Sequence, residues 1–432
     1  MSDLDCAPDR LGPSRRPRAV SPVPHPRQPA TPGATPAGTT AVPSGSAMSG
    51  SDAGTTAAGT AEAGTGGAPG RPRSRYLDAL RTAAIVRVYL HHALWVGWLT
   101  LLFPSLSVMF ALAGCLTASS LDRRGSVGTV SSRMRRLLPP LWVLAMVATP
   151  VMFAHGWLTD ADNPLHWPDL AWWILPLANP PASAWGLPFA LALWYLRAYL
   201  WLVLLSPALW WAFRRWPLAT LVVPLTAAAL FHSPLVNLPA DKVTDVVLST
   251  ATYGTCWLIG FARYTRQLDR IPGWVCGLVA AALAGSGLAW AGLHRGVTAL
   301  SEDPLADLLW GTGFALALMR LRPTMAWLGR APRLNRLVSA INARAVTIYV
   351  WHLPALFATG ALLRLTGFES DGYAGAVATL TVGSALTAVA VLATGWVEDL
   401  AAARRPSVIP TAGRRPRADS RATGTAAAAT AA

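Results

Sequence analysis

The stretch Leu77–Leu99 reads LDALRTAAIVRVYLHHALWVGWL, a run of membrane-crossing length that nevertheless carries Arg81, Arg87, His91 and His92. About 20 apolar residues span a bilayer as a helix rising 1.5 Å per residue. An arginine at the centre of such a helix costs about 2.5–3.5 kcal/mol on insertion scales, so polar groups there usually face a protein interior and serve a function. At 100° per residue, Arg81 and His92 are about eleven positions apart and return to within roughly 20° of one face, ~16 Å apart along the axis. They form a polar track from the interface to about mid-bilayer. Arg87 and His91, about four positions apart, share a second stripe rotated away by something over 100°. Snorkelling of Arg81 to headgroups and ordinary packing of the histidines would explain each group singly. It leaves unexplained why one helix holds four costly groups at different depths.

Working outward, the whole chain has the composition of a protein dissolved in lipid. Its 432 residues are 53% hydrophobic and only 13% charged, where soluble domains run near a quarter charged. The formal net charge of +15 raises nucleic-acid binding, but that requires a basic face or an aromatic-lined groove on a soluble module, and neither is visible. Instead the arginines gather at the chain ends and in short stretches between apolar runs, with Lys242 the only lysine. Cys6, Cys115, Cys256 and Cys276 show no paired spacing, so they read as small apolar packers and not as a disulfide framework or a zinc site. No carboxylate or thiolate cluster has ligand spacing, and no metal or bound cofactor is expected.

Residues 1–73 are rich in Pro, Gly, Ala, Ser and Thr with scattered Arg, and 401–432 return to Arg, Ala, Thr and Pro. Both are expected to be disordered cytoplasmic tails, because they lack the large apolar side chains needed for a core. Between them, residues 74–400 form the membrane domain. Apolar runs fall near 79–102, 104–121, 137–155, 189–212, 218–232, 246–264, 273–293, 305–320, 344–364 and 374–398. The predicted fold is all-α, a polytopic membrane protein of about ten transmembrane helices, with Ala171–Leu177 a candidate re-entrant or interfacial segment.

Arginine placement orients this scheme, because cytoplasmic loops hold the basic residues. Arg71, Arg73 and Arg75 precede the first run, Arg123, Arg124, Arg133, Arg135 and Arg136 follow the second, and Arg214 and Arg215 follow the fourth. Arg263, Arg266 and Arg270 follow the sixth, Arg320, Arg322, Arg330, Arg333 and Arg336 the eighth, and Arg404 and Arg405 the tenth. The intervening stretches, such as 155–188 with Asp160, Asp162 and Asp169, are arginine-poor and rich in Trp and Pro. Both termini are then cytoplasmic, and the membrane is the cell's inner (plasma) membrane.

RTAAIVRVYLHH resembles the first helix of the membrane-bound acyltransferase 3 family, in which a basic residue is followed after ten residues by a histidine; Arg81 and His92 stand at those positions. PSLSVMFALAGCLTASSL is similar to the family's second helix, with Ala113 and Gly114 where a Ser-Gly pair is usual. RMRRLLPPLW resembles its RxxR element, on Arg133 and Arg136. LWYLRAYLWLVLLSP, from Leu193, looks like its Trp-bearing middle helix, and IYVWHLP around His352 its late Tyr and His segment. The likeness covers about 74–400, and the extracytoplasmic SGNH-type hydrolase domain of the fused members is not expected here.

The resemblance implies an integral-membrane O-acyltransferase that moves an acyl group, most simply acetyl, from cytoplasmic acyl-coenzyme A to a hydroxyl of a cell-envelope glycan, lipid or secreted metabolite. His92 is then the expected base or acylated nucleophile. Arg81, with Arg133 and Arg136, would hold the anionic donor through charge-assisted bonds. Arg87 would stabilise charge or orient His91. Arg197, beside Trp194 and Tyr195, could place its cation over an aromatic face or line the cavity, and His352 could reach the depth of His92 or simply bond a neighbouring helix. The alternative from another class is a transporter or flippase that uses the same Arg and His groups for an anionic substrate, although no inverted repeat is evident.

Overall fold

The computed structural model describes residues 74–407 apart from 240, 295 and 369–371. The tail expected over 1–73 and most of that over 401–432 lie outside the described residues. Every described regular element is helical. The long ones are α1 (Arg75–Leu94), α2 (Ser105–Ala154), α3 (Leu193–Arg215), α4 (Pro217–His232), α5 (Lys242–Tyr264), α6 (Gly273–His294), α7 (Pro304–Arg320), α8 (Pro332–Ala343), α9 (Ala345–Leu365) and α10 (Gly372–Thr394), with a last short helix α11 (Trp396–Ala401).

Among the described residues five helices are long and apolar enough to cross a membrane: Leu99–Ala154, Leu187–Arg215, Gly273–His294, Ala345–Leu365 and Gly372–Thr394. This is fewer than the ten expected crossings, although the ten apolar runs fall largely in helix. The Leu99–Ala154 stretch contains two of them, and Pro217–His232 is apolar but short. The run expected over 79–102 is interrupted: α1 stops at Leu94, Trp95 turns into the left-handed region at φ 53, and a single turn resumes at Leu99–Leu102. Ala171–Leu177 contributes only the short turn Ala171–Ile174.

The basic stretch between the second and third runs is helical as well. Only Gly125 departs from helical geometry, at φ 69 and ψ −176, a region essentially restricted to glycine. It divides α2 into limbs 105–124 and 126–154. This hinge sends the second limb back across the bundle and puts Arg123 and Arg124 opposite Arg133 and Arg136. Arg263, expected at a cytoplasmic loop, is instead buried at the end of α5. It donates to the carbonyls of Met319 and Leu321, the latter at 2.6 Å, and lies 5.5 Å over the Tyr76 ring. Its guanidinium thus closes the end of α7 against α1 and α5.

The core is centred where α2 crosses α5, and glycine makes that crossing possible. A Cβ at Gly114 would come within 2.0 Å of the Trp257 carbonyl oxygen, and one at Gly260 within 2.1 Å of the Ala111 carbonyl oxygen. Reciprocal small residues allow backbones to touch, the contact that holds helices together where solvent offers no hydrophobic drive. Trp257 and Phe261 are buried on either side. After α11, residues 402–407 turn back onto Asp399 and Arg344. Ser407 gives its N–H and hydroxyl to Asp399 at 3.1 and 3.0 Å, and the buried Arg344 pairs with Asp399 at 2.7 Å.

Replacing Gly114 or Gly260 by alanine should force α2 and α5 apart, at a cost of the order of 1–3 kcal/mol for overpacking. Thermal unfolding followed by size-exclusion fluorescence should show each variant melting earlier than the parent, whereas Gly277→Ala, where a Cβ meets nothing within 4 Å, should melt within about a degree of it.

Candidate functional site

One face of α1 is turned inward. Ile85 and Val88 are buried, at 6% relative exposure each, and they continue in helical steps from Arg81 to His92. That face is fixed near its start by Asn342 of α8, whose amide donates to the Asp78 carbonyl at 2.9 Å and to Thr82 Oγ1 at 2.8 Å. Arg81 opens into a cavity of about 330 Å³ walled by both limbs of α2, by α3, α8 and α9, and by Glu398 of α11. Five guanidinium groups line it: Arg81, Arg123, Arg124, Arg133 and Arg136. Glu398 is the single carboxylate among the described lining residues, and its Oε2 accepts from Thr347 Oγ1 at 3.0 Å and Thr347 N–H at 3.3 Å. Arg133 donates to the Tyr199 hydroxyl at 3.3 Å and Arg124 to the Ser132 hydroxyl at 3.1 Å. Its cationic lining suits an anion chemically, and its volume is at the lower end of the roughly 300–1,000 Å³ usual for small-molecule sites.

A chain of rings leads inward from this cavity. Tyr195 and Tyr349 both line it and lie 4.9 Å apart, centroid to centroid. Tyr349 is 5.4 Å from His352, and His352 is 5.0 Å from His92. The two histidines, far apart in sequence, form a hydrogen bond of 3.1 Å between His352 Nε2 and His92 Nδ1. A second contact fixes its direction. His352 Nδ1 lies 2.5 Å from the Tyr349 carbonyl oxygen, and a carbonyl only accepts, so Nδ1 carries the proton. In neutral His352 the lone pair is then on Nε2, and it receives the Nδ1–H of His92. His92 is left with an unprotonated Nε2, the form in which an imidazole acts as a base.

The second stripe of α1 serves a different end. Arg87 donates to the Leu99 carbonyl at 3.4 Å and to the Thr100 hydroxyl, and His91 Nδ1 donates to the Val96 carbonyl at 3.2 Å. Both hold the turn that follows the helix, and neither lines the arginine cavity. The expected placement of Arg197 over an aromatic face is not found. Among the described residues the guanidinium-over-ring contacts are those of Arg214, Arg215 and Arg263. Arg197 turns to α5, where Asp245 offers a carboxylate at 3.9 Å and a carbonyl at 3.1 Å, with Ser249 Oγ at 3.2 Å. Trp194 packs 5.9 Å from Tyr253 and does not line the cavity.

Of the residues singled out in the sequence, the structure gathers Arg81, Arg133, Arg136 and Tyr195 around the cavity, joins His92 to His352 beyond it, and leaves Arg87, Trp194 and Arg197 outside its walls. Sequence reasoning missed Arg123 and Arg124 as cavity residues, having taken them for topological charges, and missed Tyr199, Tyr349 and Glu398. Glu398 left a trace, being a carboxylate at the end of the last apolar run; Tyr349 stood in the quoted segment IYVWHLP.

Neither a search of curated proteins nor a search of solved structures gave a match. A family model, described as an acyltransferase domain, matches residues 74–397, a span that begins just before α1, ends within α11 and takes in the cavity arginines and both histidines of the pair. The chain therefore belongs to the acyltransferase 3 family.

Proposed function

We propose that this membrane protein transfers an acyl group, most simply acetyl, from cytoplasmic acyl-coenzyme A to a hydroxyl of a cell-envelope glycan, lipid or secreted metabolite. The observation that carries this reading is the hydrogen-bonded His92–His352 pair, linked through the Tyr349 ring to a cavity lined by five arginines and one carboxylate. A phosphorylated thioester donor needs cationic binding at one end and proton management at the other. In this reading the arginine side is cytoplasmic, which the bias of basic residues toward that side supports, with both termini there and about ten crossings in the plasma membrane.

The arginines bind the donor phosphates by charge-assisted hydrogen bonds, and Tyr195 is a candidate donor for the thioester carbonyl. His92 Nε2 takes the proton of the acceptor hydroxyl as its oxygen bonds to the carbonyl carbon. The charge that develops on His92 is shared through Nδ1–H with His352 Nε2. Collapse of the tetrahedral intermediate breaks the carbon–sulfur bond, and the thiolate leaves with the proton held by His92. Ester and free thiol result, and the pair returns to its starting state.

Exchanging Arg133 and Arg136 together for glutamine should weaken coenzyme A binding at least about tenfold, since hydrogen bonds to charged groups contribute about 1.5–3 kcal/mol each. A titration on purified protein in nanodiscs reads this. Unchanged donor affinity combined with failed membrane insertion would mean that the pair serves only topology.

The histidines separate by role. His92→Ala should reduce label transfer from acetyl-coenzyme A to envelope extract by about a hundredfold to ten-thousandfold, with donor binding kept. His352→Ala should cost less than His92→Ala but more than His91→Ala, which removes the bond to Val96 and a ring contact with His92 and retains measurable activity. Full activity of His92→Ala would rule out its role as base.

A further inference from the structure

The turn that follows His92 is held more firmly than a loop requires. Arg87 and His91 bind it from α1, and Trp310 of α7 donates to the Thr100 carbonyl at 3.1 Å. Its first residue, Trp95, has φ 53 and ψ 35 and closes the helix by donating its N–H to the His91 carbonyl at 2.8 Å. Helices commonly end on a left-handed residue, but glycine or asparagine takes that place without strain. A bulky side chain there is a rare conformation, one that persists where surrounding structure imposes it and that clusters at functional sites.

The strained backbone fixes the indole beside the base. The Trp95 and His92 rings meet edge to face, with centroids 6.3 Å apart and planes at 87°. Yet Trp95 is 72% exposed, and among the described residues no protein group takes up its Nε1–H. Other exposed tryptophans, such as Trp98 and Trp274, are at home in the aromatic belts of a membrane interface. Trp95 differs in touching the reacting imidazole and in the strain that puts it there. It also lies about fourteen residues along the chain from Arg81, so it stands past His92 at the opposite end of α1 from the arginine cavity.

Resting on the acyl-transfer reading above, we propose that Trp95 forms the acceptor subsite, with its open indole face and free N–H positioning the hydroxyl-bearing acceptor at His92 from the side away from the donor cavity. The acceptor it fits has an apolar face flanking the reactive hydroxyl and an oxygen within reach of the indole N–H. The interior polar groups that the chemistry leaves unused, Arg87 and His91, then act as positioning residues for that platform. Donor and acceptor approach one imidazole from its two ends without exchanging places.

The test uses the full chain in nanodiscs with saturating labelled acetyl-coenzyme A, titrated with envelope extract, and reads label transferred to extract, label released to water as acetate, and coenzyme A binding. Trp95→Ala and Trp95→Gly should raise the extract needed for half-maximal transfer by the order of tenfold, as loss of an aromatic anchor does, with coenzyme A binding and release to water unchanged. Trp95→Phe, which keeps an aromatic face and lacks the N–H, should recover only part of the loss. Glycine accepts the left-handed backbone freely, so a Trp95→Gly protein with the parent's transfer curve would overturn the proposal by showing that only the turn matters. Equal loss of transfer and of release to water in all three variants would overturn it too, placing Trp95 in support of His92. Should the parent protein neither transfer nor release label, the acyl-transfer reading itself would fall, a distinct result.

Discussion

A polar group placed inside a membrane helix must find its partners within the protein, and α1 carries four such groups. Lipid supplies no hydrogen bonds, and each group left alone in it costs several kcal/mol. The arrangement of the neighbouring elements follows from meeting that demand. His92 is satisfied by His352, which draws α9 against α1; Arg87 and His91 are satisfied by folding the chain back at Trp95; Arg81 is satisfied in part by opening a polar cavity among α2, α3 and α9. Three structural features, the helix contact, the tight turn and the cavity, are thus answers to one constraint.

The cavity depends on two glycines with different reasons for being glycine. Gly114 lets α2 lie against the backbone of α5 at Trp257, which fixes where the first limb of α2 runs. Gly125 supplies a backbone geometry that other residues avoid, and so returns the second limb with Arg133 and Arg136 facing the arginines at the end of the first. Ala113, next to Gly114, lines the cavity in place of the serine usual in the family. On that limb the cavity keeps the Ser120 hydroxyl, which donates to the Leu116 carbonyl at 3.0 Å, and across from it stand tyrosines. Tyr349 commits its hydroxyl to the Ala192 carbonyl at 2.7 Å, and Tyr199 accepts from Arg133 while keeping its own proton to donate.

The helical class and the two stripes of α1 were legible in the sequence because they depend on periodicity, which survives without knowledge of neighbours. Arg81 and His92 do share a face with Ile85 and Val88, and Arg87 and His91 do act together. Partners were not legible. Nothing in RAYLWLV says that Arg197 turns to Asp245, because the choice is set by a helix about fifty residues later. The interruption at Trp95 was hidden for a related reason: the apolar run continues through it, and the break comes from side chains of the preceding turn capturing carbonyls ahead. Arg123 and Arg124 illustrate a third limit, since an arginine that marks topology and one that lines a cavity look alike until the backbone folds at Gly125.

The two stripes also show why adjacent histidines need not be interchangeable. His91 and His92 lie at almost the same depth, with ring centroids 5.3 Å apart, so burial alone cannot assign them different work. Direction does. One residue step rotates the side chain by about 100°, enough to turn His92 toward α9 and His91 toward the Val96 carbonyl. His91 gives its Nδ1–H to a fixed backbone acceptor and its bond merely holds a turn. His92 meets the Val88 carbonyl as well, but gives its Nδ1–H to another imidazole that can itself carry charge. Of the two, only His92 is hydrogen-bonded to a group able to share a proton's charge, and that coupling rather than position in the membrane is the ground on which the proposed mechanism assigns it the base.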